Sequence, residues 1–311
     1  MSKFDRLSVY AVLLASGLAL FACRGRQTKD KYTDTATSGF ISISADESFR
    51  RIVQQEIDVF ESIYTMAGID PIYASEVDAI NLLLKDSVRL TVSTRRLTDA
   101  EKAGLEEKKF FPKEFKVASD AIALIVNRQN PDSIISLKDL SRILTGEVTE
   151  WSELYPGSKL GKLQLVFDNP NSSTVRYAID SICRGRPLAG SLHAQKSNAE
   201  VIDFVSQSPS AIGVIGVSWV GSESDSTNLS FSDRVTVMAV SREEKATEQN
   251  SYKPFQAYMA LGDYPLMRDV YVILTDPRSG LASGFSTFLA SDRGQRIILR
   301  AGLMPATQNV R

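Results

Sequence analysis

Histidine and cysteine are scarce in this chain of 311 residues, and their scarcity excludes several kinds of chemistry. The two cysteines, Cys23 and Cys183, cannot build a disulfide framework and lack the paired spacing of a zinc site. Cys183 is expected to be a small buried apolar residue. Because His193 is the single histidine, a histidine-dependent active site or metal centre is improbable. We therefore predict neither a cofactor nor a bound metal.

The chain also lacks an excess of charge of either sign. Its 36 basic and 37 acidic residues give a net charge of −1, and no basic stripe with interleaved aromatic residues is present. A nucleic-acid partner is therefore not expected. Hydrophobic residues make up 43% of the chain, which is enough for real cores, and the length suits about two domains.

The longest apolar segment is near the amino terminus, from Val9 to Ala22, and it is too short for a comfortable membrane span. Lys3 and Arg6 precede it, as in the charged region of a secretory signal. We predict a signal peptide over residues 1–22.

The residues around the end of the signal peptide, Leu20-Phe21-Ala22-Cys23, resemble a bacterial lipoprotein box. That resemblance implies cleavage before Cys23 and lipid on its sulfur; a plain signal peptide or short anchor with an incidental cysteine is the alternative. Residues 23–39 are polar and aperiodic and are expected to form a flexible tether. The predicted location is extracytoplasmic, on the periplasmic side or the surface of a bacterial membrane.

The rest of the chain alternates between strand and helix patterns. Phe40–Ser44 alternates as a strand, and apolar residues from Phe49 to Ile63 recur at helical spacing. Val88–Val92 and Val270–Leu274 also have strand patterns. Repeated strand–helix units predict an α/β fold with mostly parallel sheets flanked by helices.

One stretch, residues 163–182, is the most informative. An apolar strand ends at Phe167, a turn follows from Asp168 to Asn171, and a helix begins after the hydroxyl residues Ser172–Thr174. A helix amino terminus has unpaired N–H groups and a partial positive charge, so it suits an oxyanion. The alternative is that Ser172 or Ser173 is only a helix cap.

Similar hydroxyl residues stand at other predicted strand ends. In a parallel sheet these ends meet at one edge, where ligands bind. Each residue fits a simple cap equally well, but several converging on one cleft would form a binding site. The candidates are Ser48, Ser75, Ser93, Thr94, Ser172, Ser173 and Thr174.

Several short motifs, in order, resemble the phosphate-binding proteins of the PstS type, which are solute receptors of ABC importers. The resemblance spans roughly residues 40–305, and its motifs lie at residues 119–127, 144–151, 172–174, 211–216 and 263–266. It implies the two-lobed type II periplasmic binding protein fold. Lobe 1 would be residues 40–117 plus 265–311, and lobe 2 residues 118–264, with the ligand in the cleft between them.

The resemblance also implies ligand-binding residues. Ser48 and Phe49 match a Thr-Phe pair whose hydroxyl and backbone amide touch phosphate. Ser75 matches a serine ligand on the next helix start. Ser172, Ser173 and Thr174 match a Ser-Gly-Thr loop.

Two positions depart from the family pattern. Thr94 stands where the family commonly has an aspartate that accepts the proton of hydrogen phosphate, and Asp168 stands where it has an arginine. Arg95, Arg96 and Arg176 are the candidates to supply positive charge, although for Arg176 the sequence favours a solvated helix residue.

The leading prediction is a lipid-anchored, monomeric receptor that captures a small oxyanion, phosphate first, and delivers it to the membrane subunits of an ABC importer. A receptor fold reused as a surface sensor or binding module with another ligand is the second reading. A secreted serine hydrolase is the third, and it requires a base oriented on a serine.

Overall fold

The structure, a computed structural model, describes residues 34–190, 193–221 and 230–307. The predicted signal peptide, Cys23 and most of the predicted tether lie outside these residues. The regular structure begins earlier than residue 40, because the first strand starts at Ser38 and Asp34 already accepts a hydrogen bond from the backbone N–H of Leu281 at 2.8 Å.

Strands and helices alternate along most of the described chain. The strands are β1 (Ser38–Asp46), β2 (Met66–Ala74), β3 (Leu90–Ser93), β4 (Lys113–Val126), β5 (Ile134–Ser136), β6 (Gln164–Phe167), β7 (His193–Ala194), β8 (Ala211–Gly216), β9 (Thr236–Val237), β10 (Ala239–Ser241), β11 (Ser251–Tyr252), β12 (Met267–Leu274) and β13 (Met304–Pro305). The α-helices are α1 (Arg50–Ile63), α2 (Glu76–Leu84), α3 (Asp99–Glu107), α4 (Leu137–Leu144), α5 (Ser173–Tyr177), α6 (Asn198–Gln207), α7 (Gln256–Leu261), α8 (Leu281–Ala290) and α9 (Asp292–Arg300).

The main sheet has the strand order β2-β1-β3-β12-β4-β8-β6-β7, and β9 and β13 pair with β4 beside this path. The predicted parallel pairing is found towards both ends, where β1 pairs with β2 and β3, and β6 pairs with β7 and β8. The centre is antiparallel, because β12 runs opposite to both β3 and β4. A smaller sheet has the order β11-β10-β5.

Strand β4 joins the two ends of the main sheet. Its first part pairs with β12 as far as Ala121, and its second part pairs with β8 from Ile122 onward. The strand is continuous over 14 residues and passes through Ser119-Asp120-Ala121 without a break. Both ends of the sheet are therefore fixed to one backbone segment.

The helices cover the sheet with apolar faces, as their spacing predicted. On α1 the buried side chains are Ile52, Val53, Ile57 and Phe60, with one acidic exception, Glu56. Cys183 is buried and has a free thiol, as expected. None of the helices in the described ranges is long and apolar enough to cross a membrane.

Two glycines mark close approaches in this packing. A Cβ on Gly213 of β8 would lie 2.8 Å from side-chain atoms of Ile125 and Val201, so this glycine serves tight packing. A Cβ on Gly284 of α8 would lie within van der Waals overlap of the Ala36 carbonyl. The segment from Asp34 is thus seated directly on α8.

Candidate functional site

The loop after β1 is fixed by hydrogen bonds, but one of its hydroxyl groups has no hydrogen-bond partner. Asp46 ends the strand, and its Oδ1 accepts a hydrogen bond from the Ser48 N–H at 2.9 Å. The Trp219 indole donates to the Ser48 carbonyl at 2.8 Å. Ser48 is buried, yet its Oγ has no hydrogen-bond partner. Because an unpaired buried hydroxyl is costly, this atom is a candidate to contact a ligand or a water molecule.

The loop after β6 has the predicted strand–turn–helix form. Ser172 caps α5 by accepting from the Val175 N–H at 3.3 Å, so the capping interpretation of this residue is confirmed. Thr174 donates to Asp168 at 2.5 Å. Ser173 does not cap; its Oγ accepts a hydrogen bond from Arg268 at 2.7 Å.

Arg268 is a buried cation at the start of β12. Its Nε donates to Asp120 Oδ2 at 2.8 Å, and its Nη2 lies 2.8 Å from the same oxygen without making a hydrogen bond. Burial raises the pKa of Asp120, and the attraction of Arg268 partly offsets this effect. The neighbouring Tyr264 hydroxyl donates to the Ile122 carbonyl at 2.5 Å, which fixes the start of β12 against β4.

These groups meet around Gly216, at the end of β8. A Cβ placed on Gly216 would lie 3.6 Å from Arg268 Nη2, 3.7 Å from Asp120 Oδ2 and 3.8 Å from Ser48 Cβ. Asp46 is close enough to Arg268 for the guanidinium to oppose the burial that raises the Asp46 pKa to about 6. The absence of a side chain on Gly216 leaves this small space open.

Four buried polar atoms of this cluster lack a hydrogen-bond partner. They are Ser48 Oγ, Arg268 Nη2, Asp46 Oδ2 and Asp120 Oδ1. The first two are donors of hydrogen bonds and the last two are acceptors while ionised. Such a set suits a small ligand that carries both oxygen acceptors and at least one O–H.

A second network links the two loops through Asn198 at the start of α6. The Asn198 side-chain amide donates to Glu47 at 2.6 Å and to Asp168 at 3.2 Å. Burial raises the pKa of Glu47 to about 7, although the hydrogen bonds from Asn198 lower it. The two carboxylates are thus held near each other by one neutral side chain.

A third network surrounds Glu76, the first residue of α2. Glu76 accepts hydrogen bonds from Thr94 Oγ1 at 2.6 Å, from Ser93 Oγ at 3.0 Å and from Arg176 Nε at 2.5 Å. Arg176 Nη2 also donates to Thr94 Oγ1 at 2.7 Å. Burial opposes ionisation of Glu76, but Arg176 and Thr94 outweigh it and lower the pKa. Arg176 is therefore an ion-pairing residue rather than a solvated one.

The predicted site residues fall into two groups, and Ser75 and Arg95 lie outside both. Ser48, Phe49 and Ser172–Thr174 gather near Arg268, whose guanidinium carbon lies 5.3 Å from the Phe49 ring centroid. Ser93 and Thr94 belong to the Glu76 network. The hydroxyl of Ser75 is engaged in capping α2 through Asp78. Arg95 forms a double hydrogen bond with Glu101 at 2.8 Å.

The sequence reasoning missed the charged core of the site. Asp120 directly precedes the apolar run of β4, and Arg268 lies beside Asp269 at the start of β12. Both side chains are buried, and charged side chains are rarely buried unless they are paired. Asp46, Glu76 and Asn198 sit at element ends, where they look like ordinary loop or cap residues. Their role depends on partners far away in the chain.

Histidine lies apart from this cluster. His193 is exposed on β7 and stacks against Phe204 at a centroid distance of 6.2 Å. Within the described parts of the chain, no three His, Cys, Asp or Glu side chains are arranged to hold a metal ion.

Sequence comparison finds a match to the family model of the PBP superfamily domain over residues 30–293. Phosphate-binding protein PstS of Pseudomonas aeruginosa is 24% identical over 299 residues, covering 89% of this chain and 86% of that protein. Phosphate-binding protein PstS of Bacillus subtilis is 25% identical over 314 residues, covering 96% and 94%.

Structural comparison gives the same architecture. A substrate-binding protein from Clostridium perfringens with bound phosphate aligns with a TM-score of 0.72 at 20% identity, covering 86% of this chain and 100% of that one. An ABC-type phosphate transport receptor from Vibrio cholerae aligns with a TM-score of 0.64 at 20% identity, covering 86% and 100%. These similarities show that the fold is the type II periplasmic binding protein fold.

Proposed function

The chain belongs to the PBP superfamily domain family, and from this membership we propose that it is an extracytoplasmic solute-binding receptor that captures phosphate for an ABC importer. Its relatives named above are phosphate-binding proteins, and none of them is named as an enzyme.

One observation carries the proposal: buried polar atoms of Asp46, Ser48, Asp120 and Arg268 have no hydrogen-bond partner, and the last three of these residues approach Gly216. Ser48 Oγ and Arg268 Nη2 would donate to two oxygens of the ligand, and Asp46 Oδ2 or Asp120 Oδ1 would accept from its O–H. Hydrogen phosphate has one O–H for one of these carboxylates, and dihydrogen phosphate has two. Sulfate has no proton at neutral pH, so its oxygens would face these carboxylates without a hydrogen bond.

The two departures from the family pattern gain a physical explanation in this proposal. Arg268 supplies the cation that Asp168 does not, and Asp46 supplies a carboxylate acceptor that Thr94 does not. Asp168 is held by Thr174 and Asn198, so its oxygens are already satisfied within the protein. Two guanidinium groups, of Arg268 and Arg176, then offset part of the negative charge of the buried acids.

Binding would require no bond to be made or broken. Hydrogen bonds to charged groups contribute roughly 1.5–3 kcal/mol each, so several in a dry cleft give micromolar affinity or better. In the proposal, lobe 1 (residues 40–117 plus 265–311) and lobe 2 (residues 118–264) close around the ligand. The pair between Glu76 and Arg176 would bridge these lobes.

The test is calorimetric titration of phosphate-free protein with phosphate, with sulfate as the competitor. We expect phosphate to bind and Ser48→Ala to weaken it roughly 10- to 150-fold, the range that one hydrogen bond to a charged group implies. Ser62→Ala is the matched control, because that exposed hydroxyl on α1 bonds only the Val59 carbonyl. A folded protein that gives no heat with phosphate at any pH would instead support a binding module with another ligand.

The hydrolase reading has little support. A nucleophilic serine needs an oriented base, and His193 is exposed whereas Ser48 and Ser173 are buried. Ester or phosphoester turnover that disappears in His193→Ala would overturn the receptor proposal.

The location and partners extend the same proposal. A lipid on Cys23 would hold the receptor on the outer side of a bacterial membrane, near the membrane subunits of the importer, and the receptor would act as a monomer. The mass of the mature protein, measured after extraction from membranes, tests the lipid. A mature chain without added lipid mass would contradict the anchor but not the ligand.

A further inference from the structure

A concave site is lined by none of the four residues Asp46, Ser48, Asp120 and Arg268, which we call the oxyanion cluster. It is a cleft of about 490 Å³ beside α4 and the turn that follows α5, and we call it the basic cleft. Its charged lining residues are Lys138, Arg142, Arg184, Arg186, Arg242, Glu147 and Glu244. Five cations and two carboxylates give the lining a clear positive excess.

Three of the cations have acidic partners. Arg142 forms an ion pair with Asp139 of the same helix at 2.9 Å. Arg186 pairs with Glu147 at 2.7 Å and donates to Ser141 at 2.8 Å. These bonds fix part of the wall of the basic cleft and offset part of its positive charge.

The ion pair of Lys138 with Glu244, at the rim of the basic cleft, is weaker. Lys138 lies 3.1 Å from Glu244, and both side chains are largely exposed, at 56% and 86%. Exposed pairs of this kind contribute little to stability, so Lys138 can exchange this partner for a ligand at small cost.

The other two cations have no acidic partner among the described residues. Arg242 donates to the Gly262 carbonyl at 3.0 Å, and Arg184 is exposed in a left-handed conformation with φ of 54°. Arg184 follows a π-helical turn, Ala178–Ile182, which continues α5. A bulky side chain disfavours positive φ, so the turn holds Arg184 at the cleft at some conformational cost.

We propose that the basic cleft binds a small anion that carries several negative groups, such as a short chain of linked phosphates. Its volume lies within the range of small-ligand sites, roughly 300–1,000 Å³. A chain of linked phosphates can contact several of the lining cations at once, whereas a single phosphate contacts fewer of them. None of the four atoms without hydrogen-bond partners belongs to a residue that lines the basic cleft, although Tyr177, which does line it, lies close enough to feel the charges of Arg268 and Asp120.

The probe is inorganic tripolyphosphate, titrated into the purified protein by calorimetry at low and at physiological salt. We expect binding that weakens as salt rises, because exposed charges are screened. The double variant Arg184→Gln, Arg242→Gln should lose affinity at least tenfold. Arg293→Gln with Arg300→Gln, two exposed arginines on α9, removes the same charge away from the cleft and should change affinity less than twofold.

A variant that binds tripolyphosphate more tightly cannot be explained by a folding defect. Glu244→Gln removes a rim carboxylate and releases Lys138, so tripolyphosphate should bind a few-fold more tightly. Equal losses in the two arginine pairs, or an unchanged affinity in Glu244→Gln, would overturn the proposal.

The oxyanion cluster needs its own control. Ser48→Ala should leave tripolyphosphate binding unchanged, and the Arg184 and Arg242 double variant should leave phosphate binding unchanged. Tripolyphosphate binding that disappears in Ser48→Ala and survives in the double variant would assign the probe to the cluster and refute the basic cleft.

Discussion

Glu56 is a carboxyl group in an apolar interior. It lies on the buried face of α1, with an exposed fraction of 0%, and neither of its oxygens has a hydrogen-bond partner. Its surroundings form a small cavity of about 20 Å³ lined by side chains such as Val92, Val270 and Leu289. Burial raises the pKa of Glu56 from 4.5 to about 9, so the group is protonated in the folded protein at neutral pH.

The consequence is a stability that falls with pH. In the unfolded chain the proton leaves near the ordinary pKa, whereas in the folded chain it stays until about pH 9. Between these values the folded state binds one more proton, so the free energy of unfolding decreases by about 1.4 kcal/mol per pH unit. From pH 5 to pH 8 the loss is about 4 kcal/mol, a large part of a typical domain stability of about 5–15 kcal/mol.

Urea unfolding at several pH values measures this loss directly. Glu56→Gln keeps the shape of the side chain and cannot ionise. The free energy of unfolding of this variant, minus that of the unchanged protein, should therefore increase as the pH rises. Asp46 and Glu47 also have raised pKa values, but both proteins contain them and their effects cancel in the difference. Glu107→Gln, at an exposed position on α3, controls for the amide substitution itself. A difference between the Glu56 variant and the unchanged protein that stays constant from pH 5 to pH 8 would refute the reasoning.

Three further predictions concern the site and its scaffold. Arg268→Gln leaves the buried carboxylate of Asp120 without its counterion, so thermal or urea unfolding should show a loss of about 3–5 kcal/mol; a loss below 1 kcal/mol would contradict the ion pair. Arg176→Gln should destabilise the protein at neutral pH, and the deficit should shrink as acid protonates its carboxylate partner, whose pKa is lowered in the fold; a deficit that grows in acid would contradict this sign. Gly213→Ala should cost about 1–3 kcal/mol by overpacking, whereas Gly104→Ala, on α3 with open space around it, should be neutral or stabilising, and equal effects would refute the packing argument.

Local patterns made much of the fold predictable. The change from an apolar run to helical spacing at Phe167–Ser172 identified β6, its loop and α5 correctly. The capping pair of Thr98 and Glu101 was also legible, because a capping box needs only residues three apart. Such features depend on neighbours in sequence, which is why sequence alone reveals them.

The charged centre of the site depended on distant partners. Asp120 and Arg268 are separated by 148 positions, and nothing near either residue indicates the other. Arg95 was misassigned for a different reason: its partner Glu101 is only six residues away and pairs with its guanidinium, although a ligand had been expected there.

Strand β4 has a consequence for anyone who would dissect this molecule. One stretch of backbone belongs to two groups of strands, and Asp120 stands two residues before the point where its pairing changes from β12 to β8. A cut within the strand leaves each product with an open sheet edge, and a cut after Asp120 also separates its carboxylate from the Arg268 guanidinium. Ligand capture and structural integrity are thus properties of the undivided polypeptide, and minimal versions built from one half should aggregate rather than bind.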